Sequence, residues 1–296
     1  MAIERTRIDF RDQISKNKLS SVFLMICVFA VIVLLGYVIS MALDPGYFFV
    51  IMIFSIIFSI GYILISYYNS DKIAIASVGA KKADRNEYKQ YYSLVEGLTI
   101  ASGLPMPGLY IMNSPQINAF ASGRDPEHAV VCVTTGCLEQ LEKKELEGVL
   151  AHELSHVGNY DIRYMTLVAV MVGMIAIISD LFLRSLWFKG SSGDDNKGNA
   201  IFIVIGLVLA ILAPIVVQLV QLSISRKREY AADASAVLFT RYPQGLIGAL
   251  KKIQGSSVVE KKISKSIAPL FFTSPFRELG STHPALEKRI AILEKM

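Results

Sequence analysis

Charged residues are scarce in this sequence of 296 residues: Asp, Glu, Lys and Arg make up only 19% of it, against 53% apolar residues. Soluble domains typically carry about a quarter charged residues. The shortage is concentrated in uncharged apolar runs whose length, about 20 residues, is what a helix needs to cross a bilayer. The composition therefore argues against an ordinary soluble protein and predicts a membrane protein.

Four apolar stretches are predicted to span the membrane. The first, second and fourth have the required length and no charged residue. The third is shorter and carries Asp180, so it could instead be a tilted span or a helix that lines a polar cavity. A charged segment of about 20 residues precedes the first stretch, which is therefore expected to stay as an anchor and not to be a cleaved signal peptide. The stretches are Val22–Leu43, Tyr47–Tyr68, Thr166–Leu183 and Ala200–Leu222.

Cysteine and histidine are also rare, and the two shortages have different consequences. The three cysteines, Cys27, Cys132 and Cys137, do not have the spacing of a metal site and indicate no disulfide framework. We expect them to be small buried hydrophobes in a protein of a reducing compartment. The chain has only four histidines, so two of them on one helix face would be notable.

The excess of five formal positive charges lies beside the apolar stretches. Basic residues precede the first span, follow the second and follow the fourth, whereas the turn Asp44–Gly46 contains none. Under the positive-inside rule, both termini and the middle segment are therefore cytoplasmic. The loop Arg184–Asn199, with three basic and two acidic residues, is a weaker signal. This distribution predicts a multi-pass protein of the cell membrane and argues against nucleic acid as a partner.

The predicted organisation alternates two membrane hairpins with two cytoplasmic segments. A basic N-terminal segment and the first hairpin occupy residues 1–68, and the second hairpin occupies residues 166–222. The cytoplasmic segments, 69–165 and 223–296, are each too short for a comfortable core, so they are expected to form one domain together.

Both helices and strands are predicted in the middle segment. Apolar residues repeat at helical spacing in Glu87–Ser102 and in Lys143–Asn159. The stretch between them contains turn signals and short β-branched runs, among them VVCVTTG from Val130. The middle segment is therefore expected to mix helices with short strands.

The sequence HELSH lies on the second of these helices, directly before the third apolar stretch. His152 and His156 are one helical turn apart, so their side chains share a face. Two imidazoles so placed can bind one zinc ion, with Glu153 beside them to take a proton from water. The alternative is a helix with two accidental histidines, but two of only four histidines fall in the pattern. The spacing favours a hydrolytic zinc site.

A hydrolytic zinc site uses three protein ligands, and the HELSH helix offers no third one. The extended pattern would need Gly and His where the chain has Asn159 and Ile162. Asp161 is also unsuitable, because on a straight helix it would point about 140° away from His156.

A second candidate segment, SRKREYAADASA, directly follows the fourth span. Its Glu229 and Asp233 are one helical turn apart, so Glu229 could bind the metal while Asp233 accepts the other ring N–H of a histidine ligand. Such a pair alone is more typical of a solvated helix face. The alanines around it instead indicate a closely packed helix, in which carboxylates need partners.

These motifs, in this order, resemble the HtpX family of integral-membrane HExxH peptidases, whose wider family includes the CAAX prenyl endopeptidase. The resemblance implies an α+β fold, namely a zincin-like metallopeptidase domain on a helical membrane base of about four transmembrane helices. It also implies that His152, His156 and Glu229 hold one Zn²⁺. It rests on NAFASG (118–123), VTTGCLEQL (133–141), ELEGVLAHELSHVGNYD (145–161), SRKREYAADASA (225–236) and THPALEKRI (282–290).

Two further motifs gain a role from this resemblance. Asn118, Ala119 and Phe120 fall on a predicted strand, and an edge strand in such peptidases holds the substrate backbone in extended form. Without the resemblance, an ordinary buried strand end would be favoured. His283 could donate a hydrogen bond to the developing oxyanion or merely cap and pack, and Arg289 could support either role.

The resemblance implies a zinc endopeptidase that cuts cytosolic parts of misfolded or damaged membrane proteins, in quality control and stress response. Membrane-protein or unfolded substrates, the lipid bilayer and other membrane proteases are the expected partners. Three alternatives are weaker. A prenyl-protein endopeptidase would need more spans to enclose its chamber, a structural zinc site would not require Glu153, and a transporter would need more than Asp180 as a relay.

Overall fold

The structure is a computed structural model that describes residues 10–42, 45–169, 226–256, 270–272 and 284–296. These residues include the second predicted span and nearly all of the first. Most of the third span, all of the fourth and His283 lie outside the described residues.

Two long apolar helices form a hairpin. Helix α1 spans Phe10–Ala42, helix α2 spans Phe48–Tyr68, and a short 3-10 turn at Pro45–Tyr47 lies between them. Within the described ranges, these are the two helices long and apolar enough to cross a membrane. Large apolar side chains cover the outer side of α2, where Phe49 is 74% and Phe54 68% exposed. Such a surface suits contact with lipid, so the structure supports the first two predicted spans.

A four-stranded sheet follows the hairpin. Its strands are β1 (Lys81–Lys82), β2 (Gly108–Met112), β3 (Ala119–Gly123) and β4 (Ala129–Thr134). The spatial order is β1-β2-β4-β3, in which β2 and β4 are parallel and the other two pairs are antiparallel. All six residues of β4 are buried, as expected for a central strand that is covered on both faces. β3 therefore lies at one edge of this sheet.

Helices pack around the sheet and complete an α+β fold, which confirms the predicted class. The two helices predicted in the middle segment begin and end within two residues of their predicted bounds. A further helical segment, 161–169, begins shortly after α6. The named helices are α3 (Ser70–Ser77), α4 (Lys89–Ser102), α5 (Thr135–Gln140), α6 (Lys143–Gly158), α7 (Arg226–Thr240), α8 (Pro243–Gly255) and α9 (Leu286–Leu293).

Helix α6, which carries HELSH, lies in the centre of this domain. It packs against β3, β4 and α4 as well as against α7 and α8. Its first turn is closed by a capping box, in which the Glu145 carboxylate accepts the Glu142 backbone N–H at 2.7 Å. Gly148 lets α8 approach closely, because a Cβ there would lie 2.6 Å from the backbone nitrogen of Leu246. The HELSH face of α6 is therefore held inside the domain.

Candidate metal centre

Three side chains converge between α6 and α7. His152 and His156 are almost fully buried, and their Nε2 atoms lie 3.1 Å apart. Glu229 places its two carboxylate oxygens 3.7 Å from the Nε2 of His152 and 3.6 Å from the Nε2 of His156. One ligand atom from each residue lies within 4.8 Å of the others, an arrangement that could hold a metal ion. The structure thus brings together the three residues that the sequence predicted as ligands.

The composition of α7 explains how Glu229 reaches this position. The helix buries Ala231, Ala232 and Ala236, which are at most 4% exposed. Their small side chains let α7 pack directly against α6, so that a glutamate one turn away can face the two histidines. The closely packed helix predicted from the flanking alanines is therefore confirmed.

Asp233 and Arg289 support the first histidine from outside. The Nδ1 atom of His152 lies 2.9 Å from Oδ1 of Asp233. Arg289, from α9, donates two hydrogen bonds to the same carboxylate, at 2.9 and 2.7 Å. Burial alone would raise the pKa of Asp233, but the charge of Arg289 and the bond from His152 outweigh it and hold this pKa below its usual value. Asp233 therefore stays ionised and can fix the orientation of His152.

The position of Arg289 could not be predicted from the sequence. Its guanidinium is fully buried and stacks 4.7 Å above the ring of Phe272. It also lies 3.6 Å from the carboxylate of Glu229. One cation thus links α9 to both acidic residues of α7.

The prediction that Asp161 points away from His156 is wrong, although Asp161 is not one of the three grouped ligands. Its Oδ2 lies 3.0 Å from Nδ1 of His156, so Asp161 supports the second histidine in the way that Asp233 supports the first. The prediction assumed that α6 runs straight past this residue, but α6 ends at Gly158 and Tyr160 has a positive φ of 58°. This left-handed residue turns the chain back. Gly158 precedes the turn, but the left-handed position itself holds a tyrosine, which does not signal that conformation in the sequence.

Glu153 lies beside the two histidines on α6, where the helix packs against β3. It is 2% exposed, and the backbone N–H of Ala121 on β3 donates a hydrogen bond to its carboxylate. Within the described chain, its Oε1 atom has no hydrogen-bond partner. Burial raises the pKa of Glu153 to about 7, and the charge of Glu229 adds to the rise. A carboxylate with this pKa can both take and return a proton near neutral pH.

The two histidines differ in protonation. Burial and the charge of Arg289 lower the pKa of His152 to about 4, so this ring is neutral at pH 7. Burial also acts to lower the pKa of His156, but the hydrogen bond that its ring donates to Asp161 and the charge of Glu229 outweigh burial and raise the pKa to about 9. The two Nε2 atoms lie 3.1 Å apart, a distance at which a protonated His156 ring can donate a hydrogen bond to a neutral His152 ring.

The charge balance fits a bound cation. Four carboxylates that are at most 2% exposed surround the histidines, namely Glu153, Asp161, Glu229 and Asp233. Arg289 is the one guanidinium in the described part of the chain that is fully buried with them. Buried anions need compensation, and a divalent ion beside two imidazoles and a carboxylate would supply it. The set of one glutamate and two histidines is typical of catalytic zinc sites with an open position.

The predicted substrate strand lies at the sheet edge, but another segment already contacts it. The Ala119 carbonyl, which faces away from β4, accepts a hydrogen bond from the Phe272 N–H at 2.7 Å. Phe120 and Phe271 form an antiparallel bridge, and the Phe272 ring lies 4.8 Å from that of His152. Asn118 is buried, and its backbone carbonyl accepts the Thr134 N–H, so this carbonyl faces β4. No pattern in the sequence predicts the contact between β3 and Leu270–Phe272.

His283, the remaining predicted site residue, lies outside the described residues. Its suggested role as a hydrogen-bond donor to the oxyanion stays a prediction.

The chain is similar to known proteins over most of its length. The sequence profile of "Peptidase family M48" matches residues 85–296. A "Protease HtpX homolog" from Caldanaerobacter subterraneus subsp. tengcongensis is 45% identical over 241 residues, which are 78% of this chain and 80% of that protein. Another "Protease HtpX homolog", from Listeria monocytogenes serotype 4a, is 38% identical over 302 residues, and the match covers 96% of this chain and 99% of that protein.

A solved structure, described as "Crystal Structure of S. mikatae Ste24p", overlaps with the chain more distantly. It is 18% identical, with a TM-score of 0.48, and the overlap covers 95% of this chain and 66% of that one.

Proposed function

The chain belongs to peptidase family M48 and is a membrane metallopeptidase, and from this premise we propose that it is a zinc-dependent endopeptidase acting on misfolded or damaged membrane proteins. The observation that carries the proposal is the buried group His152, His156 and Glu229 beside Glu153. The proposed roles are quality control and stress response, with cuts in the cytosolic parts of the substrates.

In this proposal, Nε2 of His152, Nε2 of His156 and the carboxylate of Glu229 would hold one Zn²⁺. Asp233 and Asp161 each accept a hydrogen bond from the outward ring N–H of one histidine, which leaves both Nε2 atoms free to bind an ion. The bound ion would supply Lewis acidity for peptide hydrolysis.

Glu153 is the proposed general base and acid. Its carboxylate takes a proton from the water that attacks the peptide carbon, and then delivers this proton to the leaving nitrogen as the C–N bond breaks. The products are a carboxylic acid, which gains the hydroxyl of the water, and an amine, which gains its proton. The Ala121 N–H fixes one end of the Glu153 carboxylate and supports this role.

Substrate is proposed to bind in extended form along β3, at Ala119 and Phe120, with Asn118 at the start of the strand. Main-chain hydrogen bonds to an edge strand give affinity for any extended peptide and little demand on its side chains. This suits an enzyme for unfolded segments of many sequences. The Phe272 N–H occupies the Ala119 carbonyl, so binding there requires that Leu270–Phe272 move away.

The position of the site supports a membrane substrate. The helical segment that follows α6 packs against α1 through Tyr164, Leu167 and Val168, which join Leu24 and Val28 in one apolar cluster. The metal centre therefore lies directly beside the membrane hairpin. A base of four spanning helices, with the site and both termini on the cytoplasmic side, is part of the proposal.

Cleavage by the purified full-length chain tests the proposal. The protein in detergent is incubated with an unfolded protein and with a membrane protein whose cytosolic loop carries a fluorescent reporter. We expect internal cuts in both, their loss with a zinc chelator and their return when zinc is added. Cleavage that persists after complete removal of the metal would contradict the proposal. A zinc-loaded protein that cleaves neither substrate would also contradict it.

A further inference from the structure

The first membrane helix reaches the metal centre through one polar side chain, Asn17. This residue is 2% exposed and lies on α1. Its Nδ2 donates a hydrogen bond to Oδ1 of Asp161 at 2.7 Å and another to the backbone oxygen of Asn159 at 3.0 Å. Both hydrogens of the amide are therefore used by the turn that follows α6.

Asp161 divides its two oxygens between the membrane helix and the metal centre. Oδ2 lies 3.0 Å from Nδ1 of His156, while Oδ1 accepts the bond from Asn17. The cationic side chain of Arg228 also lies near this carboxylate, with its Nε 3.6 Å from Oδ1. The short, direct bond from Asn17 thus fixes the rotation of this carboxylate, and the carboxylate in turn fixes the imidazole.

The contact with Asn159 strengthens this arrangement. Asn159 and Tyr160 form the turn that carries Asp161 back toward His156, and Tyr160 adopts a left-handed conformation there. By holding the Asn159 carbonyl, Asn17 braces the backbone of a turn that has no glycine.

We propose that Asn17 is a positioning residue of the metal centre, which orients His156 through Asp161 and makes α1 a part of the site. This inference rests on the proposed zinc site. Its consequence is that the soluble segments alone lack one partner of the centre, so that zinc affinity depends on the correct packing of the first membrane helix.

The chain offers a matched control on the same helix. Ser21 lies one turn after Asn17, is 1% exposed, and donates its hydroxyl only within α1, to the Asn17 carbonyl at 2.9 Å. Ser21→Ala disturbs the same buried face without touching Asp161. Asn17→Ala removes the amide, and Asn17→Asp keeps the shape of the side chain but loses both donors and sets a second carboxylate against Asp161.

The experiment measures metal binding by the full-length protein in detergent. Metal-free wild type, N17A, N17D and S21A compete for zinc with a chromophoric chelator, and visible spectra are recorded after loading with Co²⁺. Loss of an outer partner of a metal ligand costs about 10–100-fold in affinity. We expect N17A to fall at the lower end of that range with shifted cobalt bands, N17D to lose at least as much, and S21A to match wild type.

Three results would overturn this role. Equal zinc affinity and equal cobalt spectra in wild type, N17A and N17D would show that Asn17 only packs. An equal loss in S21A would assign the effect to general packing of α1. If N17D binds zinc as tightly as wild type, the amide hydrogens of Asn17 are not needed and the role is refuted, even where N17A does not fold. A wild-type protein that binds no zinc would instead refute the proposed function itself.

Discussion

At the scale of single residues, the two imidazoles of the centre are chemically identical but have different pKa values, because their surroundings differ. His152 and His156 belong to one helix face, yet burial with Arg289 keeps the first neutral, while Asp161 and Glu229 keep the second protonated. The proton on His156 partly offsets the negative charge of the surrounding carboxylates. A metal ion that binds between the two Nε2 atoms must displace this proton.

Zinc binding to the metal-free protein should therefore depend on pH. Because the pKa of His156 is raised to about 9, one proton leaves this ring on binding at neutral pH. We expect zinc affinity to rise about tenfold per pH unit between pH 7 and 9 and to level off above that range. Calorimetry in buffers of different ionisation enthalpy counts the released protons. An affinity that does not change from pH 7 to 9 would contradict this protonation state.

Replacing the proposed general base should separate chemistry from metal binding. Glu153→Gln keeps an oxygen that can accept the Ala121 N–H but cannot take a proton. General acid–base catalysis contributes about 10²–10⁴-fold, so we expect cleavage to fall by that factor while zinc content stays at the wild-type level. Turnover and elemental analysis are measured on the same preparation. Unchanged turnover, or loss of the metal, would remove Glu153 from this role.

The sequence could specify part of this site but not all of it. The spacing of His152 and His156 follows from helix geometry, which is why a five-residue motif suffices to pair them. The position of Asp161 could not be predicted, because it depends on the left-handed conformation of Tyr160, which a tyrosine does not signal in the sequence. The position of Arg289 could not be predicted either, because its contact with Asp233 joins residues that are far apart in the chain.

At the scale of elements, the sheet edge decides how a substrate can enter. Helical periodicity and β-branched runs predicted α4, α6 and β4 closely, because such patterns are local. The segment that covers β3 is set by tertiary contacts, and sequence periodicity carries no information on such contacts. The pairing of Phe120 with Phe271 places an internal segment where an extended substrate is proposed to lie.

Locking that segment in place should inhibit the enzyme. Phe120→Cys with Phe271→Cys, in a chain whose three native cysteines are alanine, places two thiols on directly paired positions. We expect the oxidised protein to lose most of its cleavage and a reductant to restore it. Equal cleavage by the oxidised and reduced forms would show that substrate does not add to this edge. The disulfide yield is measured by mass spectrometry, so that incomplete oxidation is not mistaken for activity.

The whole molecule ties a peptidase domain to a membrane hairpin, and its orientation decides which substrates it meets. The basic clusters predict that the domain is cytoplasmic and that the turn between α1 and α2 is outside. In a background without native cysteines, an impermeant thiol reagent should label Tyr47→Cys in intact cells. Lys81→Cys, exposed on β1, should react only after permeabilisation. Labelling of position 81 in intact cells would invert the topology and refute the proposed cytosolic substrates.

Helices α6 and α7 are proposed to hold one zinc ion together. The zinc content of Glu229→Gln is the sharpest test of this site, because Glu229 comes from a separate segment of the chain. Glu147→Gln is the matched control: the same change on α6, at a residue whose carboxylate bonds to Lys144 at the surface. Zinc is measured by elemental analysis of the full-length proteins after dialysis against a chelator. We expect about one zinc per chain in wild type and Glu147→Gln, and little in Glu229→Gln. Equal zinc in all three would contradict the proposed zinc site.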